Sequence, residues 1–232
     1  VKAVLFDVDF TLIRPGPTFS GDGYRAFCER FGMAVDATAF DGAVASAAAI
    51  LDTPEDTPYD AGLYVAYTRH IIEQMGGSGD RLDACAREIY AEWAACRHFE
   101  LYDEVPGVLR ALSAAGVRVG LVSNSHRSLA SFESHFELDG LIAASVSSSE
   151  HGLMKPHPSI FRAVLDLMAV PPADALMVGD SIRHDVEGAL RVGMKAALLH
   201  RGEQPHPQEA ELKIKSVPVL RTLTELLNLV IG

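Results

Sequence analysis

Apolar residues fall into two rhythms along this chain. Short unbroken runs, "AVLF" (3–6), "VRVGLVS" (117–123), "LIAASV" (141–146), "ALMVG" (175–179) and "KAALLH" (195–200), have the length of strands and no polar side, which predicts strands buried on both faces. Between the later runs the apolar positions recur at helical spacing. Leu129, Phe132 and Phe136 share one face, and Phe161, Val164, Leu165 and Met168 share another. Leu223, Leu226, Leu227 and Val230 predict a closing helix. Strand and helix in alternation predict an α/β fold with a parallel sheet covered on both faces.

From about Pro15 to about Tyr102 the strand rhythm stops. Tyr24, Phe27, Cys28 and Phe31 make one helical stripe, and Leu82, Cys85, Ile89, Trp93 and Cys96 make another. "LYVAYTRHIIEQM" (63–75) predicts a third helix, ended by "GGSG" (76–79), and "AVASAAAI" (43–50) is helix-forming by composition. These stripes read as core packing. The pattern therefore predicts an all-helical domain over 15–102, inserted into a core made of 1–14 and 103–232. "RPGP" (14–17) and "YDEVPG" (102–107) are the expected hinges, stiffened by proline, and "TPEDTPYDAG" (53–62) reads as a polar loop overhanging the site.

Composition narrows the function. At 232 residues, 48% apolar and 22% charged, the chain can bury a sizeable core. A net charge of −11 argues against general affinity for nucleic acid or for an anionic membrane, though not against a local pocket for a small anion. Cys28, Cys85 and Cys96 are odd in number and lack CxxC spacing, so they read as buried free thiols in a reducing compartment. With no cationic-then-apolar leader and no apolar run of the roughly 18 residues a membrane span requires, the expected location is cytoplasmic.

The chemistry lies where the apolar runs stop. In an open parallel sheet, ligands gather at the carboxyl ends of the strands. The first run ends on Asp7 and Asp9, the second on "SNS" (123–125) and the fourth on "GDSIRHD" (179–185), while the third is followed by Lys155 in "GLMKPHPSIF" (152–161). Carboxylates converging on one edge repel unless a cation neutralises them, and Mg²⁺, a hard ion that takes oxygen ligands, suits such a site. One carboxylate can then act as a nucleophile and form an acyl-phosphate, and a second can act as general acid and base. Lys155 would hold the negative charge together, and Ser123 would donate to a phosphoryl oxygen.

Taken in order, "DVDFT" (7–11), "SNS" (123–125), Lys155 in "MKPHP" (154–158) and "GDSIRHD" (179–185) closely resemble the four motifs of the haloacid dehalogenase superfamily of aspartate-nucleophile hydrolases. The resemblance implies a Rossmann-like core of strand order 5-4-1-2-3 with a mobile helical cap of the type inserted between the first two motifs. It implies Asp7 as the nucleophile and Asp9 as the acid/base, the latter also a Mg²⁺ ligand through its backbone carbonyl. Thr11 would order that loop, and Ser123 and the Asn124 backbone would bind phosphate. Lys155 would pair with Asp7 and the phosphoryl group, Asp180 would ligate Mg²⁺ with Asp7, and Asp185 would orient Lys155 or a metal-bound water.

Two positions depart from that pattern. Phe10 stands where glycine is usual, which suggests a different turn or a ring packed beneath the cap, and His157 replaces an aspartate. An acid at Asp9 favours phosphate-ester hydrolysis over dehalogenation, because an alkoxide leaving group needs a proton. The resulting expectation is a Mg²⁺-dependent phosphatase of a small phosphorylated metabolite, with a phosphosugar mutase and a non-catalytic binding module as rivals. His126 and Arg127 read as the solvated start of a helix, His70 and His98 as ordinary core or surface histidines, and Arg14 as a residue near enough to the hinge to reach an anion.

Overall fold

A computed structural model of the chain describes residues 1–54 and 56–232; Glu55, within the 53–62 loop, lies outside the described residues. The chain divides into two compact units, one of Val1–Arg14 with Leu101–Gly232, the other of Pro15–Glu100.

Among the described residues, eight strands form in the order β1 Ala3–Phe6, β2 Ile13–Pro15, β3 Phe99–Leu101, β4 Arg118–Ser123, β5 Ala144–Ser147, β6 Ala175–Gly179, β7 Lys195–Leu199 and β8 Val219–Leu220. Six of them make the sheet of the first unit, in the order β5-β4-β1-β6-β7-β8. Every pairing is parallel, with Phe6 opposite Leu121 on one side and Val178 on the other. If only the five strands expected from the sequence are numbered, this is 5-4-1-2-3 read from the far edge, with β8 added beside the fifth.

The central strand is unbroken in burial because helices cover both of its faces. On one face Ala3, Leu5, Val122, Met177 and Leu198 pack with Ile160, Phe161, Val164, Leu165 and Met168. Those five lie on the helix Pro158–Met168, which starts on a proline where no N–H bond is lost and ends where Ala169 turns left-handed at φ 50°. The helix Val105–Ala114 buries Val105, Val108, Leu109 and Leu112 and packs on β4 and on the closing helix Thr224–Val230. Each fully buried Leu or Phe in these layers contributes about 1.5–3 kcal/mol.

Three sequence expectations need correction. Leu141–Ala143 is not strand: the Leu141 N–H closes a turn onto Leu138, and β5 begins at Ala144. Within the expected hinge 102–107, residues 105–107 are helical, since Pro106 lies in the first turn of a helix that starts at Val105. The stretch expected to lack strands contains all of β3, which pairs with β2 where the chain passes from one unit to the other. At three residues, these strands are too short for any periodicity to show.

The second unit is helical. Gly21–Arg30, Phe40–Ala47, Ala61–Gln74 and Leu82–Glu92 pack together, burying Tyr24, Phe27, Cys28, Ile71, Ile72, Cys85 and Ile89. The helix Ala61–Gln74 is capped by the Asp60 side chain and stops before Gly76, whose φ is 96°. All three cysteines are buried and free, with Cys28 Sγ 4.0 Å from Cys85 Sγ. His70 bonds Ser46, and His98 bonds Thr18 and Glu92. Among the described residues, no helix is long and apolar enough to cross a membrane.

Candidate active site

Asp7 is the first residue beyond β1, and its N–H donates to the Val178 carbonyl of β6 at 3.0 Å, which fixes it at the sheet edge. Phe10 does not replace the tight turn that follows: it adopts the left-handed backbone itself, at φ 63°, and its N–H donates to the Ile13 carbonyl. The ring is left 47% exposed. Thr11, fully buried, donates its hydroxyl to Asp7 Oδ2 at 3.2 Å.

Lys155 arrives from the loop before the helix Pro158–Met168 and is 3% exposed. Its ammonium donates to Asp7 Oδ1 at 2.6 Å and to Asp185 Oδ1 at 2.7 Å. Asn124, just past β4, clamps the lysine's backbone from both sides. Its Oδ1 accepts from the Lys155 N–H at 2.7 Å, and its Nδ2 donates to the Lys155 carbonyl at 2.9 Å. Sequence reasoning assigned Asn124 only a backbone role. Ser123 is 1% exposed and donates its hydroxyl to Ser125.

Beyond β6 the chain winds into a π-helical turn over Ile182–Glu187, a form that recurs at functional sites. This turn brings Asp185 back against Gly179, where an added Cβ would lie 2.2 Å from Asp185 Oδ2. The Ser181 N–H donates to that same oxygen at 3.0 Å. Asp7, Asp9, Asn124, Lys155, Asp180, Ser181, His184 and Asp185 line one cavity, while Thr11 and Ser123 are buried beside it.

Charge dominates this cavity. Burial pushes the Asp7 carboxyl above its ordinary range; Lys155 opposes the shift and Asp185 adds to it. Burial, with the Asp7 and Asp185 charges, pushes Asp180 well above the usual carboxylate range, although the residue as a whole stays exposed. Burial works against the charge on Lys155, but Asp185 and Asp7 outweigh it and hold the ammonium more firmly than usual. His184 is pushed down to about 4, first by burial and then by the Lys155 and Arg183 charges.

Carboxylate oxygens of Asp7, Asp180 and Asp185 lie within 4.8 Å of one another. An all-oxygen, all-anionic donor set suits a hard divalent cation such as Mg²⁺ and not a thiolate- or imidazole-seeking metal. The Asp9 carboxylate stands outside that trio. It is held by Arg127, whose Nη1 donates to Asp9 Oδ1 at 2.9 Å and to Oδ2 at 3.1 Å. Burial raises the Asp9 pKa and Arg127 lowers it. Arg127 is not the solvated residue expected from the sequence, for it is 1% exposed.

A second arginine escaped the sequence reading. Arg201, just beyond β7, donates to Glu104 at 2.6 Å and to the Thr11 carbonyl at 3.1 Å. Its guanidinium also sits 3.5 Å from the Tyr102 ring centroid. It braces the Asp7–Thr11 loop from behind.

Known proteins resemble this chain in sequence and in fold. The family model "haloacid dehalogenase-like hydrolase" matches residues 1–193. The chain is 32% identical over 149 residues to phosphoserine phosphatase of Thermus thermophilus, covering 61% of this chain and 56% of that protein. It is 33% identical over 154 residues to N-acylneuraminate-9-phosphatase of Mus musculus, covering 61% and 58%. The matched part is thus a little over half the length of these curated relatives. In fold, the chain is similar to the crystal structure of a HAD phosphatase from Thermococcus onnurineus, with a TM-score of 0.67 at 21% identity over 99% of this chain and 97% of that one.

Proposed function

The chain belongs to the haloacid dehalogenase-like hydrolases, and from that premise we propose that it is a Mg²⁺-dependent phosphatase of a small phosphorylated metabolite. The observation that carries the proposal is the buried Lys155 ammonium bridging Asp7 and Asp185, with Asp180 completing an oxygen trio. The relatives' names, phosphatases of phosphoserine and of a sugar-acid phosphate, support the same substrate class.

In this reading Asp7 is the nucleophile. Its carboxylate oxygen bonds to phosphorus as the ester P–O bond breaks, and the bonding pair leaves on the ester oxygen, which takes a proton from Asp9. Water then bonds to phosphorus as the Asp7–P bond breaks, and Asp9 takes the water's proton. Lys155 keeps Asp7 oriented and offsets charge on the phosphoryl oxygens, Asp185 and Asn124 hold Lys155, and Thr11 holds Asp7. The Asn124 backbone and Ser123 are the phosphate-binding candidates, Ser123 after turning from Ser125. A divalent cation would be held by Asp7 and Asp180, with the Asp9 backbone carbonyl, and would supply electrostatic stabilisation of the transferring group.

The test is phosphate release from a broad panel of phosphomonoesters, with and without Mg²⁺, with Asp7→Asn as the control. Mg²⁺-dependent release that Asp7→Asn abolishes is expected. No release from any ester, release undiminished in Asp7→Asn, or isomerised sugar phosphate without free phosphate would overturn the proposal.

A further inference from the structure

We propose that Arg127 is the positioning residue of Asp9, fixing where that carboxyl stands against the leaving oxygen and the attacking water. The inference rests on the phosphatase reading and adds to it a residue outside the four motifs. Asp9 follows β1 and Arg127 follows β4, neighbours in the sheet, so the ion pair ties one strand tip to the next. One Nη1 reaches both carboxylate oxygens, and this fixes the carboxylate's rotation as well as its place. Each oxygen keeps a second lone pair for a partner in the cavity, which Asp9 lines and Arg127 does not.

Stability alone is a poor reason to keep such a pair. The Arg127 side chain is wholly buried, and desolvating a guanidinium often costs more than the ion pair returns. What the pair does supply is orientation. Asp9 has to serve two different oxygens in two successive steps from one location, and an error of about 1 Å in such a group can cost on the order of a hundredfold in rate.

The experiment measures the single-turnover rate of alcohol release, which isolates the first step from the later attack of water, and KM on two esters with Mg²⁺ present: glycerol phosphate, whose alkoxide needs a proton to leave, and p-nitrophenyl phosphate, whose phenolate does not. Wild type, Arg127→Lys, Asp9→Asn and the double variant are compared. Arg127→Lys keeps the charge but puts a shorter side chain and a freely rotating ammonium in place of the rigid, planar guanidinium whose single Nη1 spans both oxygens. It is expected to lower that first-step rate about 10- to 100-fold on the alkyl ester and less than about threefold on the aryl ester, with KM little moved. In the Asp9→Asn background it should change neither. An equal loss on both esters, or the same loss in both backgrounds, makes Arg127 merely structural and overturns the proposal. If Arg127→Lys does not fold, the neutral pair Asp9→Asn with Arg127→Gln is set against Asp9→Asn alone: equal turnover supports the proposal and a further loss overturns it. A wild type that hydrolyses neither ester, nor any ester of the broad panel, overturns the phosphatase reading and this inference with it, whereas an active wild type with no ester-selective loss overturns this inference alone.

Discussion

Replacing Lys155 by Met keeps most of the buried stem and removes one positive charge from between two carboxylates. The ammonium lies 2.6 Å from Asp7 Oδ1 and 2.7 Å from Asp185 Oδ1. At an effective dielectric of about 20, each contact is worth about 6 kcal/mol of attraction. Against this, carboxylate oxygens of Asp7, Asp180 and Asp185 within 4.8 Å of one another repel by at least about 3.5 kcal/mol per pair, or about 10 kcal/mol for the three. The lysine's two contacts, about 12 kcal/mol together, are therefore of the same size as the repulsion they oppose. Without it the uncompensated repulsion rivals the whole stability of an ordinary domain, about 5–15 kcal/mol, and the variant must take up protons or a cation instead. Lys155→Met should thus lose phosphate release, unfold more easily by about 3–5 kcal/mol in metal-free buffer, and yet bind Mg²⁺ more tightly than wild type. Relieving only about 1.4 kcal/mol of repulsion is enough for a tenfold lower Kd. Thermal unfolding across a Mg²⁺ series reads this directly, because stabilisation grows as RT ln(1 + [Mg²⁺]/Kd). A variant that binds Mg²⁺ no tighter than wild type would refute the charge argument.

Other residues give sharper, smaller tests. His184 has its pKa depressed from 6.5 to about 4 by burial and by Lys155 and Arg183, so its contribution to stability is present above pH 6.5 and is lost as pH falls through about 4. His184→Gln should therefore lose about 3 kcal/mol less than wild type between those values; parallel urea-denaturation results at pH 7 and pH 4 would contradict this. Gly179→Ala places a methyl group 2.2 Å from Asp185 Oδ2 and should cost about 1–3 kcal/mol while displacing Asp185 from Lys155. Unchanged melting and turnover would show that the approach is not tight. Arg201→Ala removes the bonds to Glu104 and to the Thr11 carbonyl and should lower stability by about 1–3 kcal/mol. Denaturant unfolding checks it, and a loss equal to that of Lys2→Ala, which breaks an exposed pair with Asp174, would count against the brace.

The carboxylates were legible in the sequence and the arginines were not, for a physical reason. Asp7, Asp9, Asp180 and Asp185 each follow an apolar run that can only be a buried strand, and strand order places the tips of β1 and β6 side by side. Position along the chain therefore determines position in space. Arg127 sits in "SNSHRS", a polar stretch that reads as a solvated helix start, and its burial depends on Asp9, 118 residues away, presenting a carboxylate to it. Arg201 is as obscure locally, since its partners Glu104 and Thr11 are 97 and 190 residues away. Phe10 shows the opposite failure. Its chemistry argued for a different turn, but the turn's own hydrogen bonds hold the backbone left-handed at a cost of about 1–2 kcal/mol. Short edges such as β2, β3 and β8 carry too few residues to announce themselves.

The charge balance at the sheet edge explains why an acidic chain can be built to handle an anion. Asp7, Asp9, Asp180 and Asp185 face two fixed cations, Lys155 and Arg127, and both of those are already committed to carboxylates. Burial first, and neighbouring carboxylates after it, shift Asp7, Asp9 and Asp180 toward their neutral forms, and with every group ionised the cavity is doubly negative. A phosphoryl dianion has no reason to enter such a cavity alone. On the proposed function, one divalent cation on the oxygen trio would bring the count to neutral and make affinity for the anion conditional on the cation. A basic patch would instead attract every phosphate-bearing polymer near it. The net charge of −11 works in the same direction, since it disfavours anions over the surface at large and leaves the proposed cation as what would favour one at the sheet edge.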